Sequence, residues 1–314
     1  MLHIDADALD RAFDETALAD SPGAMFRDGC EQPVRHHHAM EVPGEPDATL
    51  LLMPAWQPGE SVGIKVASVF PGANSRGLPA VQASYLLLDP HTGAPLALLD
   101  GARLTVRRTA AASALAARYL VRGDARRMVM VGAGALSQWL IRAHMAARPS
   151  LNHVSIWNHN GDKALAQAAT LRAAGIPAEA APDLEAAVRQ ADVVSCATLS
   201  RAPLVLGDWL QPGTHLDLVG AFTPEMRESD DRAMQCATVF VDTRAGATKE
   251  GGDIVQAVDS GAITHADIAA DLHDLTRGNH PGRGSDREIT VFKSVGAALE
   301  DLAAARLAYD RVSS

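Results

Sequence analysis

The feature that most constrains the fold is a short apolar strand that runs directly into a glycine turn and then into a helix. Residues 128–134 read MVMVGAG, and a helical stretch follows to about Ala147. Beyond it, strand-like runs alternate with helices of about 10 to 15 residues, which predicts βαβ units and a parallel sheet. A strand, a glycine turn and a helix N-terminus in this order also form a site for the pyrophosphate of a dinucleotide.

The glycine turn reads Gly132-Ala133-Gly134-Ala135-Leu136-Ser137. Gly132 allows the tight turn and Gly134 lets the backbone approach a pyrophosphate, but Ser137 stands where Gly or Ala is usual. A glycine-rich turn without a ligand is the alternative, and the strand–turn–helix context favours the dinucleotide. The predicted cofactor-binding residues are Gly132, Gly134, Ala135, Leu136, Asn158, His159, Asn160, Thr198 and Val219.

The end of the second strand of this region bears on the choice of cofactor. It reads Asn158-His159-Asn160, and no carboxylate follows until Asp162. NAD sites usually carry an acidic residue here to bind the ribose 2′-hydroxyl, and a carboxylate would repel the 2′-phosphate of NADPH. We therefore expect NADPH, with NADH possible. The alternative is that these polar residues only cap the next helix.

The flanking segments predict a second domain. Strand-like runs at 49–53, 62–70, 80–88 and 95–99, the last two forming a hairpin, indicate a mostly antiparallel sheet, followed by an alanine-rich helix at about 104–120. The tail at 288–312 begins with a strand-like ITVF and ends in a helix, and we expect it to pack on this domain. The predicted fold is α/β, with a central Rossmann-type parallel-sheet domain at 119–289 and an α+β substrate domain at 1–118 completed by 290–314.

Composition excludes several classes of protein. With 28 Lys+Arg against 38 Asp+Glu, the net charge is −10, which gives no net field to attract nucleic acid. No apolar run approaches the roughly 20 residues of a membrane span, and the acidic N-terminus has no signal-peptide pattern. We therefore expect a cytoplasmic protein without nucleic-acid or membrane partners. Three widely spaced cysteines predict free buried thiols, Cys30, Cys196 and Cys236.

Several longer stretches resemble the ornithine cyclodeaminase/μ-crystallin family. They are PG at 71–72 with GLPAVQ at 77–82, LALLDGARLTVRRTAAASALAA at 96–117, VGAGALSQ at 131–138 and EITVFKSVGAALEDLAAA at 288–305. The resemblance covers the chain from about Gln32 onward. It implies a homodimer in which the split first domain also serves dimerisation, and a nicotinamide cofactor acting on an α-amino or α-imino acid.

Three basic residues match the substrate site of that family: Arg35, Lys65 and Arg108. A guanidinium suits a planar α-carboxylate, and Arg108 stands near the start of the alanine-rich helix, where the helix dipole favours an anion. Lys65 is one of only four lysines and is predicted to hold the substrate or donate a proton. The alternatives are solvated arginines and a strand lysine that extends to solvent.

Arg35 is followed by His36-His37-His38. Two histidines at i and i+2 on a strand share a face and could bind zinc, but the spacing offers no third ligand. We therefore predict no metal site, and expect His36 or His38 to line the substrate pocket.

Phe222 is the most informative departure from the family pattern. Cyclodeaminases and related alanine dehydrogenases resemble G-[GA]-D-x-P after this strand, and their Asp exchanges protons with the amine. Residues 220–224 read GAFTP, and phenylalanine cannot accept a proton, whereas reduction of a preformed imine has less need of a base. Together with the Arg35-His36-His37-His38 pattern, this is most similar to bacterial Δ1-pyrroline-2-carboxylate reductases, and we predict Phe222 to contact the substrate.

The resemblance implies NADPH-dependent reduction of Δ1-pyrroline-2-carboxylate to L-proline, and also of Δ1-piperideine-2-carboxylate to L-pipecolate. Two alternatives stay open. One is an ornithine cyclodeaminase or an enzyme of the alanine dehydrogenase type. The other is a crystallin-like protein that binds NADPH without turnover.

Overall fold

The computed structural model describes residues 1–313, and the chain divides into two units. The first comprises Met1–Thr109 and the chain from Ala297 onward, and the second comprises Ala110–Gly296. The chain thus leaves the first unit, builds all of the second, and returns. The predicted α/β fold class is confirmed.

In chain order the strands are β1 Leu2–Ile4, β2 His36–Met40, β3 Ala48–Gln57, β4 Ser61–Val69, β5 Val81–Leu88, β6 Pro95–Asp100, β7 Arg127–Val131, β8 His153–Trp157, β9 Ala178–Ala180, β10 Val193–Cys196, β11 His215–Leu218, β12 Thr238–Val241, β13 Ile268–Asp271 and β14 Thr290–Lys293. The helices are α1 Ala6–Ala12, α2 Glu15–Asp28, α3 Gly101–Leu120, α4 Ser137–Ala147, α5 Gly161–Ala173, α6 Leu184–Val188, α7 Asp231–Gln235, α8 Arg244–Glu250, α9 Gly252–Asp259, α10 Leu272–Arg277 and α11 Ala298–Ser313.

The first unit contains a six-stranded sheet in the order β1-β6-β5-β4-β3-β2. Neighbouring strands are antiparallel except β1 and β6. The expected hairpin is the β5–β6 pair. The prediction of a mostly antiparallel sheet is therefore confirmed.

Strand β4 explains how this sheet acquires a buried face. Ser61, Gly63, Lys65 and Ala67 are buried, while Val66 is exposed, because successive side chains of a strand point to opposite faces. Helix α11 packs on β3, β4 and β5, and its residues 298–305 are all buried. The alanines of α11 let the helix lie close to the sheet, so any longer polar side chain of β4 on this face is enclosed.

The second unit contains an eight-stranded sheet in the order β13-β12-β14-β11-β10-β7-β8-β9, in which all neighbours are parallel. From β7 the chain moves outward to β9, and from β10 it continues on the other side of β7. The strand order therefore reverses between β7 and β10. Ligands of open parallel sheets bind at the carboxyl edge beside such a reversal.

The predicted tail strand is not part of the first unit. β14 pairs with β11 and β12 inside the parallel sheet, where its four side chains are all buried. This corrects the expected boundary at 289/290 to a position after Gly296, because the hydrogen-bonded pairing of β14 with β11 and β12 keeps it in the second unit. The other boundary, expected at 118/119, falls inside α3 after Thr109.

The three cysteines are free, but only Cys196 is buried. Cys30 and Cys236 are half-buried because each lies just beyond the end of a helix, so the prediction of buried thiols is wrong for these two. Within residues 1–313, no helix is long and apolar enough to cross a membrane.

Candidate active site

Four charged side chains meet in the buried interior of the first unit. Lys65 Nζ lies 2.6 Å from Asp301 Oδ2, and Arg108 Nε lies 2.9 Å from Asp301 Oδ1. Arg108 Nη1 lies 2.7 Å from Glu300 Oε2. None of the four is more than 5% exposed. We call Lys65, Arg108, Glu300 and Asp301 the ion cluster, and it unites two of the predicted site residues.

The local sequence explains how these charges come to be buried. The alternation of β4 turns Lys65 to the covered face, while α11 carries Glu300 and Asp301 next to each other among alanines and leucines. A buried charge is tolerated when it is paired and hydrogen-bonded. The two carboxylates meet this condition and fix the two cations in place.

The pKa values in the cluster make Lys65 the group that can exchange a proton. Burial lowers the pKa of Lys65 to about 8, with Asp301 opposing this and the charges of Arg108 and Arg35 reinforcing it. Burial acts to raise the pKa of Asp301, but Arg108 and Lys65 bring it below its usual value. Burial also acts against the charge of Arg108, but Asp301 and Glu300 raise its pKa above the usual value. Near neutral pH, a protonated lysine of lowered pKa therefore lies beside a permanent guanidinium.

Arg108 uses two of its three guanidinium nitrogens within the protein. Its Nε and Nη1 donate to Asp301 and Glu300. Its Nη2 donates no hydrogen bond to any group within residues 1–313. Since all three nitrogens of a guanidinium are donors, Nη2 can donate to a carboxylate of a bound molecule.

Arg35 lies on the same face of the sheet as Lys65. It immediately precedes β2, in which His36 is opposite Leu52 of β3. Continuing this register by one residue puts Arg35 opposite Met53, which is itself opposite Lys65 of β4. The lowering of the Lys65 pKa by Arg35 agrees with this arrangement.

His36 is not brought to the ion cluster, and its place in a substrate pocket stays a prediction. Side chains alternate along a strand, so His36 points to the opposite face from Arg35, in line with the exposed Val66. His37 and His38 are also exposed. Within residues 1–313, no group of three or more His, Cys, Asp or Glu side chains could hold a metal ion.

In the second unit, the glycine turn after β7 is closely packed. Gly132 has a φ of 112°, which favours glycine, and a Cβ there would lie 2.7 Å from the carbonyl oxygen of Ala197. The Gly132 N–H donates to the carbonyl oxygen of Trp157 at 2.8 Å. The turn is thus fixed between the ends of β8 and β10, beside the reversal of the strand order.

The following residues fit a dinucleotide pyrophosphate. Gly134 and Ala135 are exposed, and a Cβ on Gly134 would meet no atom within 4 Å. Helix α4 then begins at Leu136–Ser137, where the first N–H groups of a helix lack partners in the helix and attract anions. The Ser137 hydroxyl donates to the Gly134 carbonyl oxygen at 2.8 Å, so the unusual serine is satisfied within the turn.

The polar residues after β8 have two different roles. Asn158 Oδ1 accepts a hydrogen bond from the Ala133 N–H at 3.4 Å, and its Nδ2 donates to the Asn160 carbonyl oxygen at 3.0 Å. Asn160 caps α5 by accepting from the Asp162 N–H, as the alternative interpretation expected. Asn158 is therefore tied to the glycine turn, and His159 is exposed beside it.

The other predicted residues of this unit follow β10 and β11. The N–H and hydroxyl of Thr198 donate to Glu228 Oε1 at 2.7 and 2.8 Å. Val219 is buried, and its N–H donates to the Cys196 carbonyl oxygen at 2.9 Å. Phe222 lies three residues further along and is 45% exposed. All of them come after the carboxyl ends of parallel strands, as the glycine turn does.

Sequence reasoning missed three carboxylates. Glu300 and Asp301 carried a signal, because two adjacent acids in an otherwise apolar stretch of an alanine-rich helix must find partners when that stretch is buried. Glu228 carried none, since it stands in the polar stretch MRESDD at 226–231.

The chain is similar to known proteins along almost its whole length. The model of the ornithine cyclodeaminase/mu-crystallin family matches residues 14–314. The Δ1-pyrroline-2-carboxylate reductase of Paracoccus denitrificans is 42% identical over 259 residues, which cover 82% of each chain.

Two solved structures agree with the fold of the chain. Thermococcus litoralis Δ1-pyrroline-2-carboxylate reductase, in complex with NADH and L-proline, matches with a TM-score of 0.92 and 33% identity over all of this chain and 98% of that one. An archaeal alanine dehydrogenase dimer with bound NAD matches with a TM-score of 0.91 and 29% identity, over all of this chain and 96% of that one.

Proposed function

This chain belongs to the ornithine cyclodeaminase/mu-crystallin family, and from that premise we propose that it reduces the cyclic imino acid Δ1-pyrroline-2-carboxylate to L-proline with NADPH. The observation that carries the proposal is the ion cluster. It combines a guanidinium that has a spare donor with a buried lysine of lowered pKa.

The cluster supplies what a small imino acid needs for binding. Arg108 Nη2 donates to the substrate carboxylate, and the charge-assisted bond is stronger than a neutral one. The charges of Lys65, Arg108, Glu300 and Asp301 balance, and the guanidinium of Arg35, which is close enough to lower the pKa of Lys65, also contacts the carboxylate. The substrate carboxylate is held in one orientation, which is a large part of catalysis.

Lys65 supplies the proton. Reduction of a C=N bond adds a hydride to the carbon and a proton to the nitrogen. With a pKa of about 8, Lys65 is mostly protonated at neutral pH and is much more acidic than an ordinary lysine. It donates this proton to the imine nitrogen directly or through an ordered water, while Asp301 keeps its ammonium group oriented.

The second unit holds the cofactor. A nicotinamide cofactor, when bound, supplies the hydride. The turn from Gly132 to Gly134 and the N-terminus of α4 bind its pyrophosphate. The end of β8 presents Asn158 and His159 with no carboxylate before Asp162, which supports NADPH and leaves NADH usable.

The related cyclodeaminase reaction is the second candidate, and Phe222 argues against it. Oxidation of an amine requires a group that accepts its proton, and position 222, where the cyclodeaminase pattern has an aspartate, carries a hydrocarbon side chain. A missing acid–base group typically lowers a rate by about 10²- to 10⁴-fold. We therefore propose that L-ornithine is not a substrate. From the family resemblance we also propose that Δ1-piperideine-2-carboxylate, the larger homologue, is reduced to L-pipecolate, and that the enzyme acts as a homodimer.

The test is a pair of assays on the wild-type protein. NADPH consumption is followed with Δ1-pyrroline-2-carboxylate, and NAD reduction and ammonia release are followed with L-ornithine. We expect rapid formation of L-proline in the first assay and a rate at least about 100-fold lower in the second. Robust ornithine turnover would contradict the proposal, because it would show that the base lies elsewhere than at position 222.

A further inference from the structure

The loops after β10 and β11 are joined by one buried carboxylate, that of Glu228. Its Oε1 accepts hydrogen bonds from the N–H and the hydroxyl of Thr198 at 2.7 and 2.8 Å. Its Oε2 accepts from the N–H of Gly220 at 2.7 Å. Glu228 has no exposed surface, so these donors replace the hydrogen bonds that water would otherwise make to its carboxylate.

The glycines around Glu228 show how closely the loops pack. A Cβ on Gly220 would collide with Glu228 Oε1 and with the backbone of Thr198. A Cβ on Gly132 would lie 3.3 Å from Thr198 Cγ2 in addition to its collision with Ala197. The loop that Glu228 holds is therefore the one against which the first glycine of the dinucleotide turn packs.

Other charged groups also face Glu228. Asp253 of α9 accepts the Glu228 N–H at 2.8 Å and lies 3.2 Å from Lys293 of β14. Burial raises the pKa of Glu228 to about 7, with Lys293 lowering it and Asp253 raising it further. The thiol of Cys196 on β10 stays neutral, because burial raises its pKa well above the usual value.

The hydrogen bonds of Glu228 are strongest when its carboxyl group is ionised. Two of the three donors are backbone N–H groups, which cannot accept a proton in return. A protonated carboxyl group has an O–H that the Thr198 hydroxyl oxygen can accept, but loss of the negative charge weakens the hydrogen bonds from both backbone N–H groups. The loops after β10 and β11 are thus held together best when Glu228 is ionised.

We propose that Glu228 is a positioning residue for the dinucleotide, and that its ionised form holds the loops after β10 and β11 in the arrangement that binds the cofactor. The inference rests on the proposed cofactor site, since Thr198 and Val219 belong to it. Glu228 acts only through these loops. Its protonation should therefore change cofactor affinity rather than the reaction itself.

The test measures the dissociation constant of NADH for the wild-type protein between pH 8 and pH 6. NADH is the probe because the 2′-phosphate of NADPH would itself titrate near pH 6. We expect the Kd to rise about tenfold over this range, the change linked to one proton with a pKa near 7. A Kd that is independent of pH would overturn the inference, and no binding at any pH would instead contradict the proposed function.

The variant Glu228→Gln sharpens the test. Its amide has one acceptor oxygen, and its NH₂ group would face a backbone N–H. We expect a Kd raised by about 10- to 100-fold at pH 8, with no further change down to pH 6. Glu225→Gln, which removes an exposed carboxylate from the same loop, is the matched control and should keep the wild-type pH profile. If Glu228→Gln bound NADH with the wild-type Kd, Glu228 would not be a positioning residue.

Discussion

The two units of this protein each contain a group of buried lysine and acidic side chains, but the carboxylates bind different partners in the two groups. In the first unit, Lys65 pairs with Asp301 at 2.6 Å, and in the second, Lys293 pairs with Asp253 at 3.2 Å. The carboxylates of the ion cluster bind cationic side chains. Those around Glu228 bind mainly backbone N–H groups of loops.

The difference lies in which atoms remain available. In the ion cluster, the carboxylates fix the cations, and Arg108 Nη2 donates to no group within residues 1–313. The oxygens of Glu228 accept hydrogen bonds from two backbone N–H groups and from the Thr198 hydroxyl. The carboxylates of the ion cluster therefore hold other side chains in place, whereas Glu228 holds two loops of the main chain together.

The largest expected effect distinguishes Lys65, which we expect to affect activity, from Lys293, which we expect to affect stability. Lys65→Met should lower kcat/KM for imine reduction by about 10²- to 10⁴-fold through loss of the proton donor, with a modest effect on stability because Asp301 keeps Arg108. Lys293→Met leaves Asp253 without its cation and should lower the free energy of unfolding by about 3 to 5 kcal/mol. Steady-state kinetics and urea unfolding of both variants check this.

The dependence of kcat/KM on pH tests whether Lys65 is the proton donor. Only its protonated form donates, so wild-type kcat/KM should fall above about pH 8, and Lys65→Met should lack this limb. If Lys65→Met retained wild-type kcat/KM, or if it lost as much stability as Lys293→Met, the contrast between the two groups would not hold.

A smaller effect is expected for Arg108→Lys. The variant keeps the positive charge, but an ammonium cannot reach two carboxylates and a ligand in the planar arrangement of a guanidinium. We expect a loss of about 2 to 4 kcal/mol of transition-state stabilisation, measured as kcat/KM. Arg103→Lys is the control on the same helix, since Arg103 is partly exposed and pairs with Asp10 at 3.0 Å. If Arg108→Lys and Arg103→Lys had the same kcat/KM, Arg108 would not be a substrate-binding residue.

The smallest effect concerns cofactor choice in the second unit. Asn158→Asp puts a carboxylate at the end of β8, which should lower kcat/KM for NADPH by roughly tenfold and leave NADH use less affected. Asn152→Asp makes the same change at the opposite end of β8 and should leave the preference as it is. A wild-type enzyme that strongly preferred NADH would already contradict our interpretation of residues 158–160.

The sequence predicted the elements that have strong local patterns. The apolar strand before Gly132 and the strand-like run at 62–70 that contains Lys65 are local patterns, and both strands are present. The position of β14 was not predictable in this way, because an apolar run such as TVFK suits either sheet. The orientation of His36 depends on strand register, which a run of three histidines does not define.

Individual residues of the candidate site were predictable from the sequence, but the contacts between them were not. Lys65 and Arg108 could be named from the family resemblance, but their link through Asp301 joins residues 236 positions apart. The role of Glu228 depends on loops that follow two different strands. Such contacts are set by packing, and periodicity and composition carry no information about them.

The most direct test of the account is to follow the transferred hydrogen. The wild-type enzyme would reduce Δ1-pyrroline-2-carboxylate with a cofactor carrying deuterium at both positions of the nicotinamide C4, and the product would be examined by NMR. We predict L-proline with one deuterium at Cα, since the hydride adds to the imine carbon and the proton on nitrogen comes from Lys65 or solvent. Proline without deuterium at Cα, or no proline at all, would contradict the assignment of this chain as an imino acid reductase.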